Sequence, residues 1–191
     1  MTRIKTLGLC AVILAVLFMC GCGDKSPMDT AEEIKTELGG YASLTLTADI
    51  TASYENCVYD FKVKCTKDDA GLGIEILEPE SLAGITARLE EDGFTLSYDG
   101  VEMSTGKLTE DGLSPAGALP VLIEQWTEGY ASGAVYESYG DEETLALDTN
   151  ISDTVKQRTW FDRETHLPVH SEISENGVVV VTCDFENIVT S

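Results

Sequence analysis

Between residues 44 and 65 the chain alternates apolar and polar side chains with a period of two, a pattern that only extended backbone satisfies. In SLTLTADITASY, Leu44, Leu46, Ala48, Ile50, Ala52 and Tyr54 alternate with Thr45, Thr47, Asp49, Thr51 and Ser53. In ENCVYDFKVKC, Cys57, Tyr59, Phe61, Val63 and Cys65 take the apolar side, and Asp60, Lys62 and Lys64 the other. Successive side chains of a strand point to opposite faces, so each segment has one dry face and one wet one. Only a short turn at Glu55-Asn56 separates them, which makes them the arms of an antiparallel hairpin. The dry face then needs a cover.

The same pattern continues through LGIEILEP, AGITARLEED and GFTLSYDGVEM, with turn signals at Asp92-Gly93 and Asp99-Gly100. It resumes in GAVYESY, ETLALDT, VKQRTWFD, LPVHSEIS and GVVVVTCDFENI, with tight turns at DRET and at Glu175-Asn176-Gly177. Two segments break the period. DTAEEIKTELGG predicts a helix capped by Asp29 or Thr30, stopped at Gly39-Gly40, with Ala31, Ile34 and Leu38 on one face. Further on, Leu119, Leu122, Ile123, Trp126 and Tyr130 form one helical stripe, with Pro120 suited to the first turn. The expected architecture is α+β: a large, mostly antiparallel sheet with one apolar face and two helices available to cover it.

The first 21 residues have the layout of an export signal, with Arg3 and Lys5 ahead of an apolar run from Leu7 to Met19 and small Gly21 at the end. That run is shorter than the ~18–20 residues of a spanning helix, and nothing later in the chain is apolar for long enough. MCGC, with Gly21 directly before Cys22, resembles a bacterial lipobox. The resemblance implies cleavage before Cys22 and a diacylglycerol on its sulfur, so that the protein sits lipid-anchored on the extracytoplasmic face of the cell membrane. Residues 22–28 then read as a lipidated tether and residues 29–191 as one domain. Two acyl chains at ~0.8 kcal/mol per buried CH₂ anchor a protein without help from its surface. Help from the surface is absent here: the chain carries 12 Lys+Arg against 34 Asp+Glu, a net charge of −22, and loss of the signal removes only basic residues. Such a balance excludes nucleic acid as a partner and opposes attachment to anionic lipid.

Catalytic signatures do not emerge. His166 and His170 are the only histidines. In a strand context their spacing puts them ~13 Å apart, too far to share a metal, and both are expected half-exposed. The acidic clusters Asp68-Asp69, Glu90-Glu91-Asp92 and Asp141-Glu142-Glu143 fall at predicted turns, where water removes the environment a catalytic carboxylate pair needs. No nucleophile elbow, phosphate loop, zinc signature or Cys-x-x-Cys occurs, so the expectation is a non-enzyme without metal or cofactor. Of the cysteines after Cys22, Cys57 and Cys65 lie ~26 Å apart along one strand. Either could meet Cys183 across the sheet in a disulfide, or all three are small buried side chains. The apolar stripe of the second helix is either plain core or the wall of a ligand cavity on the concave face. For a cavity the candidates are Leu46, Ile50, Tyr59 and Phe61 on the hairpin, Ile76 beyond it, and Leu122 and Trp126 on the helix.

The segment TWFDRETHLPVHSEISENGVVVVTCDFENI is similar to the closing strands of the LolA/LolB/RseB-like superfamily of bacterial envelope proteins, as is the order of elements. The match rests on Trp160, Asp162, Leu167, Pro168, Phe185, Asn187 and Ile188. The resemblance implies an incomplete, curved β-barrel whose concave apolar side, covered by helices, receives an acyl chain or lipoprotein. An anchor at Cys22 sets this chain apart from the soluble carriers of that family. GerS-like lipoproteins of spore-forming Gram-positive bacteria, which join a lipobox to the same fold, imply a second role: binding and activating a cell-wall amidase in spore cortex formation and germination.

Overall fold

The computed structural model describes residues 25–90, 93–106 and 111–191. The signal segment and Cys22 lie outside the described residues. The chain builds helix α1 (Pro27–Gly40), strands β1 (Leu44–Tyr54), β2 (Cys57–Asp68), β3 (Gly71–Glu78), β4 (Thr86–Glu90), β5 (Gly93–Tyr98) and β6 (Val101–Gly106), and helix α2 (Pro115–Thr127). It closes with β7 (Ala131–Tyr139), β8 (Glu142–Asn150), β9 (Val155–Asp162), β10 (Pro168–Glu175) and β11 (Val178–Thr190).

All eleven strands join one sheet in the order β6-β5-β4-β3-β2-β1-β11-β10-β9-β8-β7. The chain steps outward by antiparallel neighbours from β1 to β6, crosses through α2 to the far edge, and steps back from β7 to β11 beside β1. The sheet is open, with β6 and β7 as its edges. The alternation is kept: Leu46, Ala48, Ile50 and Ala52 of β1 are all buried on the face the helices cover.

Both helices start earlier than the sequence signals suggest. Ser26, not Asp29 or Thr30, caps α1: its Oγ accepts the Asp29 N–H at 3.2 Å, and Pro27 takes the first turn, where no N–H is needed. The last part of the expected tether is therefore structured. Tyr136 donates to the Lys25 carbonyl at 3.0 Å, and the Lys25 ammonium meets Glu33 at 2.6 Å. Likewise Ser114 caps α2 and Pro115 opens it, so Pro120 lies inside the helix rather than in its first turn. Tyr130 falls beyond the end of α2 and is 87% exposed, because the helix closes with Glu128 N–H bonding Glu124 O and Gly129 N–H bonding Gln125 O.

The histidines also depart from expectation. His166 sits in the turn after β9 with a φ of 59°, and its Nδ1 lies 2.6 Å from Glu37, tying α1 to the sheet. His170 is buried rather than half-exposed. Its ring stacks on Tyr139 at 4.6 Å beside Trp160, and its Nδ1 lies 2.6 Å from Asp184 on the outer face. Asp68-Asp69 and Asp141-Glu142-Glu143 are exposed at turns. Glu91 and Asp92 of the third acidic cluster lie outside the described residues.

Candidate functional site

A cavity of about 500 Å³ lies between the concave face of β1–β5 and the N-terminal end of α2. Its floor is made by cross-strand rows: Ile50 faces Phe61, Val63 faces Ile76, and Ile74, Ala87 and Leu96 run side by side across three strands. Residues in register across a ladder point to the same face, so each row is set by strand pairing. The small Ala87 in the middle of the last row leaves room that a larger side chain would fill. Ile85 and Phe94 complete the floor, and Ser114, Pro115, Ala116 and Leu119 form the roof.

The single polar side chain among these lining residues is Ser114, and its oxygen is already engaged with the Gly117 N–H at 3.1 Å. A lining of this kind offers a charged or polar ligand no more than the one hydroxyl proton of Ser114 and excludes water by default. It does suit hydrocarbon, and its size is that of a small-ligand site. A second hollow, about 570 Å³, lies on the opposite, wet face, among Lys64, Thr66, Glu75 and Arg88. It is an open trough over Gly73 and differs from the first in its polar lining.

Three of the seven cavity candidates line the cavity: Ile50, Phe61 and Ile76. Leu46, Leu122 and Trp126 instead are buried elsewhere, at 1%, 0% and 1% exposure. The cavity meets α2 at its N-terminal end, from Ser114 to Leu119, whereas Trp126 near the other end packs against β9 and β11. Trp126 packs edge-on against Phe161 at 6.1 Å and Phe185 at 5.2 Å. Its indole N–H donates to Thr159 Oγ1 at 3.0 Å, in a buried network with Gln157 and Ser171. Tyr59 is exposed at the hairpin tip beside Tyr54, their ring centroids 5.9 Å apart. Val63, Ile74, Ala87, Phe94 and Leu96 were missed, although each occupies a dry-face position in the alternation; where the helices would lie was the absent signal.

Cys57, Cys65 and Cys183 are free thiols. Strand β1 lies between β2 and β11, and Cys65 faces Leu46 while Cys183 faces Ile50. Two strand spacings and four residues separate them by ~16 Å, well past the ~7 Å between Cα atoms that a disulfide spans. Cys57, which faces Tyr54, is as far from Cys183 along the strands. Of the two alternatives the sequence left open, the cross-sheet disulfide does not form; Cys65 and Cys183 are buried free thiols and Cys57 an exposed one. Burial pushes the Cys65 thiol up to about 12, and burial with nearby Asp184 raises that of Cys183 as well. Both are inert core side chains.

Among the described residues no helix is long and apolar enough to cross a membrane, and no group of His, Cys, Asp and Glu could hold a metal ion. No protein-family model matches the chain, and no curated protein matches it. Solved structures do. The chain is similar to an uncharacterized conserved protein from Thermus thermophilus, with a TM-score of 0.51 and 11% identity over 85% of this chain and 88% of that one. It is also similar to the LolA superfamily protein NE2245 from Nitrosomonas europaea, with a TM-score of 0.42 and 13% identity over 83% and 92%. A third is the Mycobacterium tuberculosis lipoprotein LppX, with a TM-score of 0.44 and 12% identity over 82% and 92%. These likenesses are of fold alone. An open, curved antiparallel sheet with two helices laid on its concave face is the architecture that the sequence resemblance implies.

Proposed function

We propose that the protein is a non-enzymatic envelope lipoprotein, anchored through diacylglycerol on Cys22, that holds an acyl chain of a lipid or lipoprotein in the cavity beneath α2. One observation carries this reading: a ligand-sized cavity whose floor is entirely hydrocarbon and whose one hydroxyl is already bonded. Each methylene moved from water into such a site is worth ~0.8 kcal/mol, so a chain of several carbons binds without any polar contact. A tethered protein works near the membrane that supplies such chains.

Lipid mass spectrometry on the full chain tests the reading, with Ala87→Phe as the comparison because it fills the floor without removing a contact. The expected result is one acyl-bearing lipid per wild-type chain and none in the variant, with both equally folded. A wild-type chain that carries no lipid and takes up no fatty-acid methyl ester would overturn it. A second reading, a surface that holds an envelope protein such as a cell-wall amidase, has the edge strand β6 in its favour. There Val101 and Met103 are 70% and 61% exposed beside an unpaired strand edge. Crosslinking on cells through β6 that recovers no envelope protein would end that second reading.

A further inference from the structure

The apolar floor of the cavity does not stop at Ile50 and Phe61. The next rungs outward on the same face of the β1–β2 ladder are Ala52 with Tyr59, and Tyr54 with Cys57. Ala52 is fully buried, while Tyr59 and Tyr54 emerge at 47% and 39% exposure. A continuous apolar track therefore runs from the cavity to the hairpin tip and ends at a pair of tyrosine rings in edge contact.

At that end the floor is tied to the roof. Tyr54 Oη donates a 2.6 Å hydrogen bond to the carbonyl of Leu113, the residue before the Ser114 cap of α2. The segment that receives it is also held by its own turn and by close packing on β10. Asp111 Oδ1 accepts the Leu113 N–H at 3.0 Å. Gly112, with a φ of 70°, packs so closely that an added Cβ would stand 2.9 Å from Ile173 Cδ1. Burial, with Tyr59 and Asp111 nearby, raises the Tyr54 phenol above its usual range, so at neutral pH it remains a donor. The bond thus joins the hairpin tip to the residue just before Ser114, where the roof of the cavity begins.

We infer that the Tyr54–Tyr59 pair is the entrance of the cavity and that the Tyr54–Leu113 bond is its latch, opened each time an acyl chain enters or leaves. This rests on the acyl-binding reading. A latch closed in both the empty and the filled protein sets the barrier to passage and leaves the affinity alone, since only a difference between the two states shifts an equilibrium. Tyr54→Phe keeps the ring and removes only the hydroxyl.

The experiment uses the full chain in phosphatidylcholine nanodiscs and a fluorescent polyene fatty acid methyl ester, followed by energy transfer from Trp126 and Trp160 in stopped flow. In Tyr54→Phe, entry and exit are both expected to accelerate by roughly fivefold, the factor one neutral hydrogen bond contributes, with affinity unchanged within about twofold. Tyr130→Phe, at a tyrosine far out in solvent, is expected to match the wild type. Binding with wild-type rates in Tyr54→Phe would overturn the latch and leave the acyl-binding reading standing. No energy transfer in either wild type or variant would overturn both. A matched thermal midpoint for the two proteins shows that faster exchange does not come from loosened folding.

Discussion

The concave face has two halves built from the same alternating strands, and they end up in opposite states. Over β8–β11, Leu145, Phe161, Ile173 and Val181 are at most 1% exposed. Over β2–β5, Phe61, Ile76, Ala87 and Leu96 are only partly buried and surround an empty volume. The difference is one of coverage. Eleven strands at ~4.8 Å spacing span ~48 Å, whereas two helices ~10–12 Å across cover about half of that. Helix α1 lies along β7 and β8, and α2 lies over β1 and β2, with Trp126 near one end against Phe161 and Ser114 at the other end on the cavity. A sheet of this width with two helices must leave apolar face uncovered, and curling it around the end of α2 turns that face into a cavity.

The contrast predicts unequal costs for the same kind of deletion. Phe161→Ala removes a fully buried ring in contact with Trp126 and is expected to lower stability by about 3–5 kcal/mol, transfer and cavity terms together. Leu96→Ala enlarges a hollow that already exists and sits partly in water. It loses only part of the transfer term, about 1 kcal/mol. Urea denaturation of both variants measures the difference, and equal losses would mean that the two halves are equally packed.

A second, smaller effect separates the halves by polarity. The packed half contains a buried network with Thr159 at its centre. Its hydroxyl oxygen accepts from the Trp126 indole at 3.0 Å and the Gln157 amide at 2.9 Å, and lies 2.7 Å from the Ser171 hydroxyl. With two donors already on the oxygen, the hydroxyl proton points to Ser171 Oγ. Thr159→Val keeps the shape and strands both N–H donors, at an expected loss of about 2–3 kcal/mol. Thr95→Val, on the wet face of β5, is expected to change stability by less than about 0.5 kcal/mol. Thermal or urea melts of the two variants side by side check the pair, and a Thr159→Val loss as small as that of Thr95→Val would mean that the network carries no stability.

The order of strands along the chain and the turns at Asp99-Gly100 and Asn176-Gly177 were legible because period-two alternation and turn residues are local signals, although GFTLSYDGVEM, read as one segment, is two strands, β5 and β6. So was the burial of Ile34 and Leu38, four residues apart on one helical face. What could not be read was which strands the helices would lie on, since nothing local in PVLIEQW says that Trp126 meets Phe161 and Phe185 rather than Phe61. That one unknown misplaced Leu46, Leu122 and Trp126 in the cavity and hid Ala87 and Leu96. The cysteines failed for a related reason: each lies on a strand, but only the insertion of β1 between β2 and β11 shows that they are too far apart. Ser26 and Ser114 were readable as caps, each followed by proline, but the acidic or apolar residues downstream give a stronger local signal than a single serine does.

The smallest expected effect concerns how the packed half is fastened. The turn after β9 carries His166 to Glu37 of α1, and it is shaped by Asp162, whose Oδ1 accepts from the backbone N–H groups of Glu164 and Thr165 and from the Thr165 hydroxyl at 3.1, 2.7 and 2.7 Å. Burial alone would raise this carboxyl, but the bonds from Thr165 and Glu164, with His166 nearby, outweigh it and hold the group below its ordinary value. A carboxylate depressed in the folded state contributes stability that is complete above the unfolded value, ~3.9, and is lost as pH falls through the folded one. Asp162→Asn is therefore expected to lower stability by about 1 kcal/mol at pH 7, where the partly exposed site is screened by water. Below pH ~4 the gap to the wild type should narrow as the wild-type carboxyl takes up its proton. Denaturation at pH 7 and at successively lower pH measures the gap, and one that stays constant would show that the turn is held by its backbone shape rather than by the charge on Asp162.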